Sequence, residues 1–224
     1  MRVVHGVVNQ KGGVGKTTTA VNLAVAIGSM GRRVLLIDVD PQGNATVGLG
    51  VERSGLQGCI YNVLIGELGL GDVILETQSV NVHLAPATIN LAGAEVELVS
   101  EISRETRLRN AIGRLEAGYD HIIIDAPPSL GLITINTLTA ADRVIIPIQC
   151  EFYALEGISQ LMRTIDLVRR HLNPSLEIER VVLTMYDRRT SLAREVAEDV
   201  RRHFGPKVSP AVIPRNVRVS EAPS

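Results

Sequence analysis

Apolar residues in this chain come in two arrangements. Some form short solid runs, and others recur at three- and four-residue intervals between those runs. The runs Val3–Asn9, Arg33–Asp38, Val80–Leu84, His121–Asp125, Arg143–Pro147, Ile178–Met185 and Lys207–Ile213 predict strands, with Val80–Leu84 the weakest. Thr17–Met30 places Ala20, Val21, Leu23, Ala24 and Ile27 at helical spacing, and Gly31 supplies a stop. Thr106–Ala117, Leu155–His171 and Leu192–Phe204 predict three more helices, and Pro41–Gly50 reads as a loop. Solid apolar strands need cover on both faces. Strand and helix in alternation therefore predict an α/β fold, a mainly parallel twisted β-sheet flanked by helices on both faces. Ligands in such sheets bind at the carboxyl ends of the strands. Three runs end there in polar groups: Asn9–Gln10, Asp38 and Asp125.

Composition narrows the classes. A length of 224 residues, 45% of them hydrophobic, predicts a single domain over 1–224 with a core that needs neither disulfides nor metals. A charged fraction of 21% and a net charge of −1 exclude a disordered chain and a uniformly basic nucleic-acid binder. With aromatics at 3% and no Trp, a base-stacking platform is excluded too. Cys59 and Cys150 stand far apart, with no CxxC or Cys/His cluster, which fits a reducing compartment. No leader-like segment and no run of about 18 apolar residues is present, so the expectation is a soluble, cytoplasmic protein with no membrane partner. Lysine is nearly avoided. The three are Lys11, Lys16 and Lys207, and the first two share one glycine-rich loop.

That loop, QKGGVGKTT over Gln10–Thr18, lies between a predicted strand and a predicted helix, as a phosphate loop requires. Backbone N–H groups line an anion nest, and the helix N-terminus adds positive potential. Lys16 would reach the β- and γ-phosphates, Thr17 would give its hydroxyl to Mg²⁺, and Thr18 would donate to a neighbouring phosphate oxygen. The strict pattern GxxxxGK[ST] needs Gly where this chain has Gln10, so the loop is a variant with an extra Lys11. A carboxylate closing an apolar strand needs a partner, and Mg²⁺ would serve both Asp38 and Asp125. Capping of the turn before Pro41 is an open alternative for Asp38 and Asp40.

KGGVGKT resembles the deviant Walker A box of the ParA/MinD group of P-loop ATPases. LLIDVDPQGNAT (Leu35–Thr46) and YDHIIIDAPPSLG (Tyr119–Gly131) resemble its switch I and its Walker B and switch II segments. PIQCEFYALEG (Pro147–Gly157), LTMYDRRT (Leu183–Thr190) and IPRNVRVSEAPS (Ile213–Ser224) narrow the likeness to the ParA branch, and within it to small chromosomal Soj-type proteins. The likeness spans essentially the whole chain. It implies nucleotide contacts from Lys11, Gly12, Gly13, Val14, Gly15, Lys16, Thr17 and Thr18. Lys16 would act within its own subunit, and Lys11 would reach across an ATP-sandwiched homodimer. Asp40 would orient the attacking water. Adenine would lie near Met185 and Pro214–Asn216, although Asn216 reads equally well as a turn residue. Pro127 and Pro128 fit either a rigid switch II turn or loop punctuation. Family members continue past EAPS with a final helix, so the chain is expected to be cut short at Ser224.

Charge is uneven along the chain. Residues 180–224 hold nine Arg and Lys against five Asp and Glu, and the preceding residues hold 14 against 19. A local basic field without aromatics suits the DNA backbone rather than its bases. The resemblance points to nonspecific double-stranded DNA, with Arg189 and Arg218 at positions that would contact it. A solvated helix face with internal pairs is the other reading of this arginine cluster. The resemblance further implies a slow ATPase switch in chromosome or plasmid partition, associated with the nucleoid, using ATP/ADP and Mg²⁺. Its stimulating partner would be a ParB/Spo0J-type centromere-binding protein. A MinD-like membrane switch is the alternative, and it would need a terminal amphipathic helix.

Overall fold

The computed structural model describes residues 2–116, 118–151 and 154–216. Strands Val3–Val7 (β1), Val34–Asp38 (β2), Leu75–Glu76 (β3), Val82–Ala85 (β4), His121–Asp125 (β5), Arg143–Gln149 (β6), Glu177–Tyr186 (β7) and Val208–Pro214 (β8) form one sheet. Their order is β3-β4-β2-β5-β1-β6-β7-β8. Every pairing is parallel except β3 with β4 at one edge. At the other edge β8 follows β7 with two register shifts.

Helices Lys16–Ser29 (α1), Asn44–Gly48 (α2), Ile60–Ile65 (α3), Leu91–Glu97 (α4), Arg107–Gly113 (α5), Leu132–Ala140 (α6), Ala154–His171 (α7) and Ser191–Phe204 (α8) cover the sheet. The central strands divide their side chains between two cores. Val34, Leu36 and Ile123 pack with Ala20 and Ala24 of α1. Leu35, Ile37, Ile122 and Ile124 face a larger cluster that takes in Leu64, Leu91, Leu108, Leu138 and Leu161. Burial on both faces is the physical reason these strands read as solid apolar runs.

Four expectations need correction. Pro41–Gly50 is not all loop, because α2 occupies Asn44–Gly48. The helix expected over Thr106–Ala117 is α5 alone, preceded by a 3₁₀ turn at Arg104–Thr106, and Ala117 lies outside the described residues. The strand expected from Val80 begins at Val82, because Asn81 takes φ 60° and ends the preceding turn. The helices α3, α4 and α6 were not anticipated. In α6 the sequence LITINTLTA is rich in β-branched residues, and Thr134, Asn136, Thr137 and Thr139 are all buried, so no polar stripe marks it as a helix.

The register fixes the working edge. Asp38 of β2 and Val7 of β1 both align with Asp125 of β5, so the three strands end level. The segments leaving them, Gln10–Gly15, Val39–Gly43 and Ala126–Gly131, therefore meet above one end of the sheet.

Candidate functional site

The glycine-rich loop owes its shape to residues without side chains. Gly13 and Gly15 take φ 72° and 85°, a left-handed backbone that suits glycine. Gly15 is the N-cap of α1 without a side-chain cap, and the first turn of α1 holds no acidic residue. The N–H groups of that turn thus stay available to an anion, and no carboxylate competes for the positive end of the helix. The loop is braced from two neighbouring strands. Asn9 Nδ2 donates to the Pro147 carbonyl at 2.7 Å, and its Oδ1 accepts from Lys11 N at 3.0 Å. The Thr184 hydroxyl on β7 donates to the Val14 carbonyl at 2.8 Å.

The two loop lysines occupy opposite environments. Lys16 is buried, and its Nζ donates to the Lys11 carbonyl at 3.0 Å. Burial pulls its ammonium below the ordinary lysine value, while the charges of Asp125 and Asp40 hold it up. Lys11 is exposed and shares a shallow concavity with Gln10, Pro128, Ser129 and Leu130. Gly12 lies beside Pro128 with room to spare.

The acidic residues differ in the same way. Asp38 is fully buried, and its oxygens are taken up by the chain: Oδ2 accepts from Thr46 N and Thr46 Oγ1, both at 2.8 Å, and Oδ1 accepts from Asp40 N at 3.1 Å. This is the capping role left open in the sequence, since Thr46 N lies in the first turn of α2. Burial pushes the Asp38 carboxyl up to about 6, against the pull of those hydrogen bonds. Asp40 is nearly buried and accepts from Gln42 N at 2.9 Å. Asp125 is fully buried, and neither of its oxygens is hydrogen-bonded. Burial and then the neighbouring Asp38 drive it well above the usual carboxylate range, and the nearby Thr17 hydroxyl only partly offsets this.

A buried carboxylate left unsatisfied beside a threonine hydroxyl and an anion nest is the donor set for a cation that accompanies a phosphate. Mg²⁺ keeps several waters and takes one or two protein oxygens, so it fits without a cage. Among the described residues no group of three His, Cys, Asp or Glu is close enough to form such a cage. Asp125 and Thr17 meet this requirement better than Asp38.

Met185, proposed near the base, has φ 49° and follows Thr184, which holds the phosphate loop. Tyr186 pairs with Pro214 across β7 and β8, and Arg215 N donates to the Tyr186 carbonyl at 3.3 Å. The Met185 and Pro214–Asn216 segments are thereby brought together on the β7 side of the loop. Arg189 is exposed and chelated by Asp187, with contacts of 2.9 and 2.8 Å, which hold the Asp187 carboxyl down at about 2. Arg218 lies outside the described residues. On α8, Arg202 pairs with Asp199 at 3.0 Å while Arg194 and Arg201 stay exposed; Arg188 is exposed ahead of the helix, and the exposed Arg215, past β8, lies 3.9 Å from Glu151. Sequence reasoning missed Thr46 and Thr184. The one signal is Thr184 interrupting the apolar residues Val181, Val182, Leu183 and Met185 in the second half of β7, and nothing distinctive marks Thr46.

Comparison with known proteins adds an independent line. A family model described as an AAA domain matches residues 1–178. The sporulation initiation inhibitor protein Soj of Bacillus subtilis is 56% identical over 224 residues, covering 100% of this chain and 88% of Soj. The chromosome partitioning protein ParA of Caulobacter vibrioides is 56% identical over 223 residues, covering 99% of this chain and 84% of ParA. Among solved structures, a Mycobacterium smegmatis protein named cobyrinic acid a,c-diamide synthase, with bound ADP and magnesium, is 42% identical. It superposes with TM-score 0.92 over 100% of this chain and 91% of its own. The septum site-determining protein MinD of Pyrococcus horikoshii, complexed with Mg-ADP, is 27% identical with TM-score 0.77, covering 100% and 85%. No helix among the described residues is long and apolar enough to cross a membrane.

Proposed function

Because the chain belongs to the Soj/ParA family of chromosome-partitioning ATPases, we propose that residues 1–224 act as one ATPase domain that switches DNA binding on with ATP and off by hydrolysis. The observation that carries this is Asp125, a buried carboxylate without a hydrogen bond, set beside a phosphate loop whose helix opens on free N–H groups. The loop amides and Lys16 hold the triphosphate, and Thr17 and Asp125 hold Mg²⁺ and its water shell. When bound, Mg²⁺ would supply neutralisation of the phosphate charge. Asp40 positions the attacking water, because phosphoryl transfer asks chiefly for positioning and for cations around the developing charge. Lys11, exposed at the mouth of its own loop, reaches the nucleotide of a second copy, so hydrolysis depends on the sandwich homodimer. Met185 and Pro214–Asn216 flank adenine.

The dimer holds double-stranded DNA nonspecifically through Arg189, Arg218 and the other exposed arginines of the C-terminal part, which places the protein on the nucleoid. Arg189 exchanges Asp187 for a DNA phosphate at little cost, because the Arg189 guanidinium is exposed and such a pair is weakened by water and salt. A ParB/Spo0J-type centromere-binding protein stimulates hydrolysis and release. The 56% identity to Soj against 27% to MinD favours DNA over a membrane as the surface bound.

The test is ATP-dependent dimerisation and DNA retention for the wild type, Lys16→Ala and Asp40→Ala. We expect no nucleotide-driven dimer in the first variant and a trapped DNA-bound dimer in the second. DNA affinity should fall steeply with salt. Retention that ignores both ATP and salt overturns this function. ATP turnover that requires a cobyrinic acid substrate assigns the chain to biosynthesis instead.

A further inference from the structure

Thr46 in α2 is fully buried, and its hydroxyl joins the exits of two neighbouring strands, β2 and β4. On one side Ala87 N, just past β4, donates to Thr46 Oγ1 at 3.0 Å. On the other, Thr46 Oγ1 donates to Asp38 Oδ2 at 2.8 Å. Chemistry fixes these directions. An amide N–H can only donate, so Thr46 Oγ1 accepts from Ala87 and its single proton is left for Asp38.

The β4 end of this link is firm. Ala87 is fully buried, and the Pro86 carbonyl beside it accepts from Ile60 N of α3 at 2.9 Å. Gly43, ahead of α2, takes φ 64°. A Cβ there would lie 3.1 Å from the Ala87 carbonyl oxygen and 2.7 Å from Arg53 Cδ. The turn that leads into α2 is thus seated on the β4 exit, with no room for a side chain at the contact.

The link continues to Asp40. Asp38 Oδ1 accepts from Asp40 N at 3.1 Å, so the carboxylate that receives the Thr46 proton also holds the Asp40 backbone. Asp40 Oδ1 accepts from Gln42 N and the Asp40 carbonyl from Gly43 N, both at 2.9 Å, which are contacts within the turn. The path through Asp38 and Thr46 ties that turn to the frame at Ala87. Without the Thr46 hydroxyl, Ala87 N is buried without an acceptor and Asp38 loses one of three donors. The Asp38 carboxylate is then free to turn, and Asp40 N follows it. Orientation of a reacting water tolerates little of this, since a misplacement of about 1 Å costs about a hundredfold.

We propose that Thr46 is a positioning residue for ATP hydrolysis: its hydroxyl, fixed by Ala87, orients Asp38, and Asp38 sets Asp40 for the attacking water. The inference deepens the function proposed above and rests on it for the role of Asp40.

The test compares wild type, Thr46→Val, Thr46→Ser and Asp40→Ala as full chains with ATP, Mg²⁺ and DNA. Thr46→Val keeps the shape and removes the hydroxyl, and Thr46→Ser keeps the hydroxyl. In single turnover Thr46→Val is expected to hydrolyse ATP at least about tenfold more slowly, with ATP affinity within about twofold of wild type. It is expected to stay on DNA longer, and Thr46→Ser is expected to restore the rate. In the nucleotide-free protein the amide NMR signals of Asp40 and Ala87 are expected to move in Thr46→Val and to stay in Thr46→Ser. A wild-type rate in Thr46→Val, an equal loss in Thr46→Val and Thr46→Ser, or a loss of ATP affinity that matches the loss of rate would each overturn the proposal, the last by marking a loosened fold. Should Thr46→Val not fold, Thr46→Cys, a weaker donor, takes its place, and a rate equal to that of Thr46→Ser overturns the proposal. The Asp40→Ala arm separates two failures. Full turnover there overturns the function given to Asp40, and with it this use of Thr46. Slow turnover there, beside a wild-type rate in Thr46→Val, keeps the function and removes the tie.

Discussion

A Cβ built on Gly12 meets nothing closer than the Pro128 Cβ, at 3.9 Å. A side chain at this position therefore has room within one chain and is felt only by a neighbour brought against the loop. Gly12→Val is expected to change stability by less than about 0.5 kcal/mol and to keep nucleotide binding. It is expected to abolish ATP-dependent dimerisation, as read by light scattering; an unchanged dimer would remove Gly12 from the interface. Asp125 presents the opposite case, a side chain whose surroundings suit it only when a cation is near. Asp125→Asn replaces a buried carboxyl, which burial pushes toward its neutral form, with a neutral amide of the same shape. It is expected to leave the stability of the nucleotide-free protein within about 1 kcal/mol and to eliminate Mg²⁺-dependent phosphate release. Calorimetry and a phosphate assay check the two halves, and a lower melting temperature would show that Asp125 is held by the chain itself. The glycine-rich loop was legible because its shape is written in contiguous residues. The Asp38–Thr46 contacts were not, because they depend on a short helix hidden in an apparent loop, and Thr184 reaches Val14 from 170 positions away.

Gly28 lets α1 lie tight against the connection between β3 and β4. A Cβ on Gly28 would fall 2.5 Å from the Val80 carbonyl oxygen and 2.8 Å from Val82 Cγ2. Alanine is the better helix former by about 1 kcal/mol, yet here the clash with backbone dominates. Gly28→Ala is expected to destabilise by about 2 kcal/mol, seen as a lower urea midpoint with an unchanged slope; a gain in stability would mean that the β3–β4 connection yields freely. Legibility at this scale followed burial. The central strands and the amphipathic α7 and α8 stood out, because one or two apolar faces leave a periodic trace. Where every side of a short helix is covered, as in α6, the trace vanishes and β-branched residues suggest a strand instead. Helices α3 and α4, with six and seven residues, are too short to show a period at all.

Across the whole molecule, polar side chains link four adjacent strands at the end of the sheet remote from the phosphate loop. Arg143 donates to Glu179 at 3.1 Å, Glu179 meets His5 Nδ1 at 2.9 Å, and His5 Nε2 lies 3.1 Å from His121 Nδ1. His5 is buried, and burial lowers its affinity for a proton below the ordinary 6.5; Glu179 opposes this, while His121 and Arg143 reinforce it. The unfolded chain then binds the proton more tightly than the folded one, so stability rises with pH through this window and is lost on acidification below about 6.5. The melting temperature of the wild type is expected to drop between pH 7 and pH 5 more steeply than that of His5→Gln. Parallel curves would assign the drop to other groups. The fold class was legible at this scale, but the strand order was not. Strands buried on both faces look alike in sequence, and nothing in β1 announces that β5 and β6 will be its neighbours.

The two ends of the strand order carry a consequence for life at high local concentration. A free sheet edge with consecutive unpaired N–H groups is a template for strands of other molecules and a start for aggregation. Here the antiparallel β3 is two residues long. At the far edge β8 carries Pro210 and Pro214, which offer no N–H, and its register is broken twice. Crowded copies would therefore find neither of these edges, among the described residues, able to extend the sheet, and β-pairing is denied to them as a route of association.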